Sequence, residues 1–466
     1  MRTFWTGICC LVLASVSAQY KGLVYEMREL PQALLLNPGT DFEFDHHIGV
    51  PFLSQFHFNV GITGVTVSDI FADDGIDIND KVGAAIRTLD NRDLTTFTQQ
   101  LELFNFGWRN RKGTYFSGGI YQELDFIGYF PKDYAVLAYE GNANAIGRRF
   151  NLGDIKSRAE MLMVYHFGFT KRENSNFTWG LRGKIYSEMF SYRATQSQGT
   201  FLTLETEDGP NIYQHRVSNL DIEVQTAGYS SIRDADSENR GAEVRKQMIQ
   251  KALLGGNLGV GLDAGFTYKL QDNLTWTGSI NDLGVVFHTK DVENYIADGD
   301  YVFDGFETPT NNLGRPNINF IDDLKRQVDL DTLTNGYTTM RSLKMYSSLR
   351  YDFNMGGGRG GQCYCFGKDY DRPEYTSAFG VQTFLQTRPR GAQVAGSLYY
   401  YQRIAYFLRL KAMYTIDRFS ATNLGLLTTF HLGPVNLYAG LDNLLALRNL
   451  AGASSANVQA GMNVSF

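Results

Sequence analysis

Residues 258–269, with the sequence LGVGLDAGFTYK, decide the fold of this chain. Every second residue from Leu258 onward is apolar or aromatic, and the residues between them are glycine, aspartate, threonine or lysine. A period of two places these two sets on opposite faces of a β-strand. The same alternation resumes at residues 274–281 after a short polar break, so the two segments together predict a β-hairpin.

The alternation recurs along most of the chain, and residues 456–466 show it as clearly as 258–269. Strand-like segments lie near 47–59, 97–109, 114–126, 159–171, 177–190, 256–270, 274–287, 341–353, 375–387, 391–401, 404–416, 419–432, 434–446 and 455–466. These are about fourteen segments, and single-chain outer-membrane barrels have an even number of strands. Most exceed the ~9–11 residues that a tilted strand needs to cross a bilayer, whereas soluble strands average about 5–6. The sequence therefore predicts an all-β fold, a transmembrane antiparallel β-barrel of about 14 strands.

The composition fits a barrel whose wall has a lipid face and a lumen face. The 466 residues include 48 Gly, 27 Tyr and 32 Phe, yet mean hydropathy is only −0.25, because the average combines both faces with long polar loops. The formal net charge of −6 provides no basic field, so nucleic acid is not an expected partner. A soluble secreted β-protein is the alternative at the level of the fold.

The amino terminus has the pattern of an export signal. Arg2 precedes an apolar stretch that ends in small residues, which predicts a signal peptide at 1–18 with cleavage between Ala18 and Gln19. We expect residues 19–46 to form a periplasmic N-terminal segment or plug, with 20–39 as the candidate plug, and 47–466 to form the barrel. The predicted location is the outer membrane of a Gram-negative bacterium, and the predicted partners are outer-membrane lipid and the barrel assembly machinery.

The lengths of the links between strands predict an orientation. Links after the second, fourth and sixth strands are short, whereas those after the first, third, fifth and seventh are long, and bacterial barrels keep short turns in the periplasm. This parity places both termini in the periplasm, together with a glycine-rich turn that contains Cys363 and Cys365, either bridged or unpaired. The long insertions, near 60–96, 127–158, 191–255 and 288–340, lie outside or fold into the pore, and we expect short helices within them, one of them near 234–253.

Aromatic residues mark the predicted membrane boundary. Trp108, Trp179 and Trp276 lie on the apolar face within a few residues of a short turn, which predicts one ring of indoles at the level of the lipid headgroups. A placement in a protein core is the alternative. Phe466 ends an alternating strand, and this is typical of the signal that directs barrels to their assembly machinery.

Several charged residues alternate onto the predicted lumen face. The candidates for lumen charges are Arg182, Lys184, Asp263, Arg350, Arg409 and Lys411, together with Glu123. Two alternatives remain open for them. They tune the lumen for charged solutes, or they pair with one another across a plugged interior.

No pattern of residues indicates an enzyme. The seven histidines are scattered, and neither H-E-x-x-H nor G-x-S-x-G occurs, so we expect no catalytic, cofactor-binding or metal-binding residues. The acidic run at 73–80 lacks the spacing of a helix-loop-helix calcium site, so a solvated loop is the default and calcium the alternative.

Short motifs carry a resemblance to a known family. The motifs are ELPQA at 29–33, LNPG at 36–39, YEGNANAIG at 139–147, GLDAGF at 261–266 and NDLG at 281–284. With them the chain resembles an uncharacterised outer-membrane barrel family of Bacteroidota, known as a domain of unknown function. It is more distantly similar to FadL-like fatty-acid transporters and to the PorV and PorP components of type IX secretion. The resemblance implies the fold and the location but no substrate.

Two functions follow as hypotheses. The first is a channel or transporter for small or hydrophobic solutes. The second is a non-conducting surface barrel that acts as an anchor or as a partner-binding component associated with secretion.

Overall fold

The structure, a computed structural model, describes residues 21–205, 212–235, 239–303, 330–355 and 375–466. Its strands are β1 (His46–Gly49), β2 (Gln55–Ile62), β3 (Leu94–Arg109), β4 (Tyr115–Tyr129), β5 (Arg149–Asn151), β6 (Ser157–Arg172), β7 (Phe177–Glu205), β8 (Tyr213–Ala227), β9 (Asn257–Gln271), β10 (Leu274–His288), β11 (Val292–Phe303), β12 (Leu330–Leu333), β13 (Tyr337–Met340), β14 (Lys344–Met355), β15 (Tyr375–Arg388), β16 (Gly391–Ala405), β17 (Leu408–Ile416), β18 (Asn423–Leu432), β19 (Val435–Asp442) and β20 (Ser455–Ser465). The predicted cleavage site at Ala18 and Gln19 and the turn with Cys363 and Cys365 lie outside the described residues.

Fourteen antiparallel strands form a closed barrel, as predicted. β1 with β2, and β13 with β14, each make one interrupted strand of the wall. Each wall strand pairs with the wall strands before and after it in the chain. The inserted strands β5, β8, β11 and β12 do not belong to this succession. The last strand, β20, pairs with both β1 and β2 and closes the wall. Closure leaves the wall without an unpaired edge, which a strand in lipid requires.

The two faces of the wall differ as the alternation predicted. On β9 the outward Leu258 and Val260 are 44% and 55% exposed, whereas the inward Asp263 is fully buried. The turns at 110–114 and 173–176 and the terminal Phe466 share one end of the barrel, the short-turn end. The insertions at 63–93 and 130–156 share the opposite end, the long-loop end.

The first strand of the wall is interrupted where the sequence predicted a continuous strand. Pro51 has no N–H to donate to a neighbouring strand, and Phe52 adopts a positive φ of 63°. Residues 50–54 therefore interrupt the regular pairing of this strand with β3 and β20, although Phe52 N still donates to Leu103 O and Val50 N to Met462 O. Ser54 O becomes available to the interior there, where it accepts a hydrogen bond from Gln32.

A second, smaller sheet extends one side of the wall beyond the long-loop end. β7 continues to Glu205 rather than ending near residue 190, and its upper half pairs with β5 and β8. β11 then pairs with β8, and β12 with β11. This extension sheet was read from the sequence only as insertions.

The helix α1 (Gln32–Leu36) lies in the N-terminal segment, before β1. Short helices occupy the insertions, as expected, and they are α2 (Val67–Phe71), α3 (Ile78–Thr88), α4 (Lys132–Tyr139), α5 (Ser230–Arg233) and α6 (Arg240–Gln250). Two 3₁₀ turns, Leu444–Arg448 and Leu450–Gly452, lie between β19 and β20. The acidic run at 73–80 is only partly a loop, because Asp77 caps α3 by accepting from Asn79 N, and Asp74 pairs with Lys81. In the described part of the chain, no helix is long and apolar enough to cross a membrane.

The occupied lumen as candidate functional site

The lumen contains the N-terminal segment, residues 21–45, which enters at the short-turn end next to β1. Arg109 fixes the entry, since its Nε donates to Asp45 at 2.8 Å and its Nη2 to Phe42 O at 2.8 Å. Deeper inside, Leu23, Val24 and Tyr25 are completely buried. The segment therefore runs along the inside of the barrel rather than beneath it.

The segment satisfies much of its own backbone by a series of tight turns. Val24 N donates to Lys21 O, Met27 N to Val24 O and Leu30 N to Met27 O, and each of these hydrogen bonds joins two residues three positions apart. The short helix α1 follows after Pro31. A turn-rich chain is narrow enough to fit inside a barrel without pairing to its wall as a strand.

One side of the segment packs on an apolar part of the inner wall. The residues that form this apolar wall patch are Tyr346, Ala378, Phe384, Ala395, Tyr399, Tyr401, Met413, Leu427 and Tyr438, all from β14–β19 and all buried. Leu23, Val24, Met27 and Leu30 of the segment complete the same cluster. Tyr25 also stacks on Tyr346, with ring centroids 5.1 Å apart.

The other side of the segment is held through the end of α1. The last carbonyls of a helix lack partners within the helix and attract donors and cations. Arg182 donates to Leu34 O and Leu35 O, both at 2.6 Å, and its guanidinium also pairs with Asp263 at 2.5 Å. Leu36 O accepts from Ser279 at 2.6 Å and from Asn281 at 2.7 Å. The wall thus supplies the partners that a continued helix would have supplied.

Carboxylates of the segment find donors on the apolar side of the lumen. Glu26 accepts from Thr277 at 2.8 Å, from Ser348 at 2.9 Å and from the Tyr399 hydroxyl. Arg409 pairs with Glu29 at 3.2 Å and with Glu43 at 3.0 Å.

Two further predicted lumen cations bind carbonyls of the segment. Lys411 donates to Gly22 O at 3.1 Å and to Tyr25 O at 2.7 Å. Arg350 lies 3.4 Å from Glu26 O and pairs with Asp352 on the wall. A buried cation that contacts carbonyl oxygens keeps hydrogen bonds after it leaves water.

The segment touches the wall backbone directly at Pro38 and Gly39. A Cβ added to Gly39 would overlap the Gly265 carbonyl, and one added to Gly180 would overlap Pro38 O. Thr267 donates to Gly39 O at 2.8 Å. Glycine is required at these positions because any side chain would hold the two backbones apart.

The six predicted lumen charges all lie on the inner face, but they form two groups rather than one site. Arg182 and Asp263 meet Lys184 on one side, where Lys184 also pairs with Asp282 at 2.6 Å. Arg350, Arg409 and Lys411 lie on the other side. Glu123 pairs with Arg341 and Lys344, and because Lys344 also pairs with Asp282, Glu123 joins the group of Lys184.

The predicted girdle tryptophans lie on the outer face near the short-turn end. Trp108 and Trp276 are 37% and 44% exposed, and Trp179 is half-buried. Each contacts a phenylalanine, for instance Trp276 with Phe266 at 4.8 Å between centroids. At the same end, Phe466 exchanges backbone hydrogen bonds with His46.

Sequence reasoning missed several residues that hold the segment. Glu26 and Gln32 of the segment contact the wall directly, whereas Asp282 and Arg341 form ion pairs within the wall that surrounds the segment. Asp282 sits at a bulge with a positive φ of 62°, which departs from period two. A signal was nonetheless present, since the ELPQA, LNPG, GLDAGF and NDLG motifs all contribute residues to the contact between segment and wall.

The turn between β15 and β16 closes the long-loop end of the lumen. Arg388 pairs with Asp125 on β4 at 2.5 Å, and Arg390 with Asp154 at 3.2 Å. Arg390 also lies over the ring of Tyr129, 4.8 Å from its centroid. The turn therefore reaches across the long-loop end of the lumen to β4 and to the insertion that follows it.

Among the residues that the structure describes, no group of three or more His, Cys, Asp or Glu side chains could hold a metal ion. The fold and the interior define the class of the protein: a closed 14-stranded antiparallel β-barrel of the outer-membrane type whose own N-terminal segment occupies the lumen. The chain belongs to a family of unknown function, DUF5723, whose model matches residues 38–442. No curated protein matches it.

Solved structures of two toluene transporters and of a FadL homologue are similar to this chain. The toluene transporter TbuX of Ralstonia pickettii gives a TM-score of 0.43 at 10% identity, with 94% of each chain covered. A FadL homologue of Pseudomonas aeruginosa gives 0.43 at 10% identity, covering 97% of this chain and 99% of the other. The Pseudomonas putida toluene transporter TodX gives 0.37 at 10% identity, covering 97% and 98%.

Proposed function

We propose that this chain is an outer-membrane transporter for small hydrophobic solutes and that its N-terminal segment is a plug that occupies the solute path at rest. The observation that supports this proposal most directly is the apolar wall patch. Its tyrosines, Met413 and Leu427 face the lumen, and it is Leu23, Val24, Met27 and Leu30 of the segment that cover them. When the segment leaves, an apolar surface becomes free inside the barrel.

An outer-membrane location is supported by the outer face of the wall. That face is apolar and exposed along the strands, and the three girdle tryptophans lie together at one end of it. Exposed apolar surface of this extent is stable only against lipid or a partner. We further propose that the short-turn end faces the periplasm, as such turns do in bacterial barrels.

Crosslinking the segment to the wall tests the proposal. The amides of Gln32 and Asn463 contact each other at 2.9 Å, so cysteines at both positions can be joined by a short bifunctional thiol reagent. Cys363 and Cys365 are replaced by serine beforehand. The readout is uptake of an apolar naphthylamine dye by intact Gram-negative cells that make the protein, because their outer leaflet resists such dyes.

The proposal predicts dye uptake above that of cells without the protein, and its loss on crosslinking. The same double-cysteine variant without the reagent is the matched control. Equal uptake with and without the crosslink would contradict the role of the segment as a plug. No uptake by folded protein, even after deletion of 20–39, would contradict transport altogether.

A second function, a non-conducting barrel that anchors or docks a partner, is favoured by the extension sheet. β8, β11 and β12 carry no part of the barrel wall, yet they extend the fold beyond the long-loop end. A surface platform of this kind fits partner binding, including a secretion component of the type IX kind. Absence of uptake from the segment-deleted variant would support this function over transport.

A further inference from the structure

A cavity of about 240 Å³ lies at the long-loop end, between β6, β7 and the turn that joins β15 to β16. Its lining residues are Lys156, Arg158, Arg193, Ala194, Thr195, Thr387, Arg388 and Pro389. Four of these eight side chains are cationic, and none is acidic. The cavity is therefore a concentrated positive site on the inner side of the wall.

Two of the arginines are direct cross-strand neighbours. In the register of β6 and β7, Arg158 lies opposite Arg193. Like charges that are directly opposite on one face of a sheet destabilise the pairing. This repulsion requires a compensating negative charge, from the protein or from a ligand.

The protein supplies only part of that compensation. Arg158 pairs with Glu160, but the same carboxylate also pairs with Arg341. Arg388 pairs with Asp125. Neither Lys156 nor Arg193 forms an ion pair with any carboxylate among the described residues; Glu160 is only an electrostatic neighbour of Arg193. The lining thus carries two positive charges in excess.

We propose that this cavity binds a phosphate group that carries two negative charges. A dianion matches the excess of two cations, and the guanidinium fork of arginine fits phosphate oxygens in a bidentate manner. The hydroxyls of Thr195 and Thr387 lie in the same lining. The cations are half-buried or buried, so a bound anion is less screened than on an open surface. Either a soluble phosphate ester or a phosphorylated lipid headgroup presents this chemistry, and the site stands whether or not the barrel conducts.

Isothermal titration of the full-length, detergent-folded protein with inorganic phosphate, and separately with an alkyl phosphate, tests this site. The variant is Arg193→Gln. The control is Arg148→Gln, which removes a cation near the same end that pairs with Asp133 and does not line the cavity. We expect one site per chain, at least a tenfold rise in Kd for Arg193→Gln and no change for Arg148→Gln.

The melting temperature without phosphate separates a binding role from a structural one. Because Arg193→Gln removes a repulsion with Arg158, we expect the ligand-free variant to be as stable as the wild type or more so. Equal affinity for both ligands assigns the site to free phosphate groups, and a preference for the alkyl phosphate assigns it to a lipid headgroup. Binding of neither ligand, or binding that Arg193→Gln leaves unchanged, overturns the proposal.

Discussion

Replacing Arg182 with methionine should release the N-terminal segment. Its guanidinium is 2% exposed and donates to two carbonyls of the segment, Leu34 O and Leu35 O. A hydrogen bond with a charged partner contributes about 1.5–3 kcal/mol. Methionine keeps much of the side-chain volume but donates no hydrogen bond. Loss of two such bonds therefore favours the displaced segment by about 3 kcal/mol at the lower end of that range.

This free energy corresponds to a change of about 100-fold in the population of the displaced segment, since 1.4 kcal/mol is a factor of ten. The assay is the reaction of a cysteine at Ala33, which is fully buried, with a membrane-impermeant maleimide in a background without Cys363 and Cys365. When the segment leaves and returns faster than the reagent reacts, the labelling rate follows the displaced population. We expect that rate to rise about 100-fold in Arg182→Met.

Lys184→Met is the matched control, because Lys184 lies two residues further along β7 and is equally buried. Its ion pairs, among the described residues, are with Asp263 and Asp282 of the wall and not with the segment. We expect this variant to lose thermal stability without a comparable rise in labelling. Equal labelling of the two variants would show that the carbonyls of α1 do not hold the segment.

Further expectations concern packing, orientation and assembly. Gly180→Ala should lower the melting temperature by overpacking against Pro38, at a cost of about 1–3 kcal/mol. Gly183→Ala should not lower it, because the nearest atom to an added Cβ there is 3.9 Å away. Equal melting temperatures of the two variants would refute the close approach of Pro38 to Gly180. On intact cells, a cysteine in place of Leu333 should react with an impermeant maleimide and one in place of Gly113 should not, and the opposite pattern would reverse the orientation. Phe466→Ala should slow membrane insertion, followed by heat-modifiable gel mobility, and unchanged kinetics would remove its role as an assembly signal. The girdle tryptophans should be quenched most by lipids brominated near the headgroup, and stronger quenching at the bilayer centre would contradict their placement.

The barrel strands could be predicted because alternation is a local property of the sequence. On β9, Leu258 faces the outside of the barrel and Asp263 faces the lumen, and nothing distant along the chain is needed to assign them. The extension sheet escaped prediction because its alternation is broken. In β8, Val217 and Leu220 are buried in the same cluster but lie three residues apart, since Asn219 adopts a positive φ of 51° and shifts the register.

The contacts of the site could not be predicted in the same way. Arg182 bonds to a carbonyl 148 residues away, and Asn281 to one 245 residues away, and the period of a strand carries no information about such pairs. Sequence reasoning placed Arg182 on the lumen face and marked 20–39 as a candidate plug. It had no means of matching one to the other.

Gln32 connects the N-terminal segment to the closure of the barrel. Its side-chain nitrogen lies 3.0 Å from Ser54 O, from Glu102 and from Asn463, so it contacts both sides of the seam where the last strand meets the first. Its contact with Asn463 spans 431 residues, nearly the whole length of the chain. Because Asn463 is synthesised 431 residues after Gln32, this bond forms only after all the intervening strands of the wall have been made. A residue that precedes every strand of the wall thus reaches its native contacts only when the ring of strands has its final member.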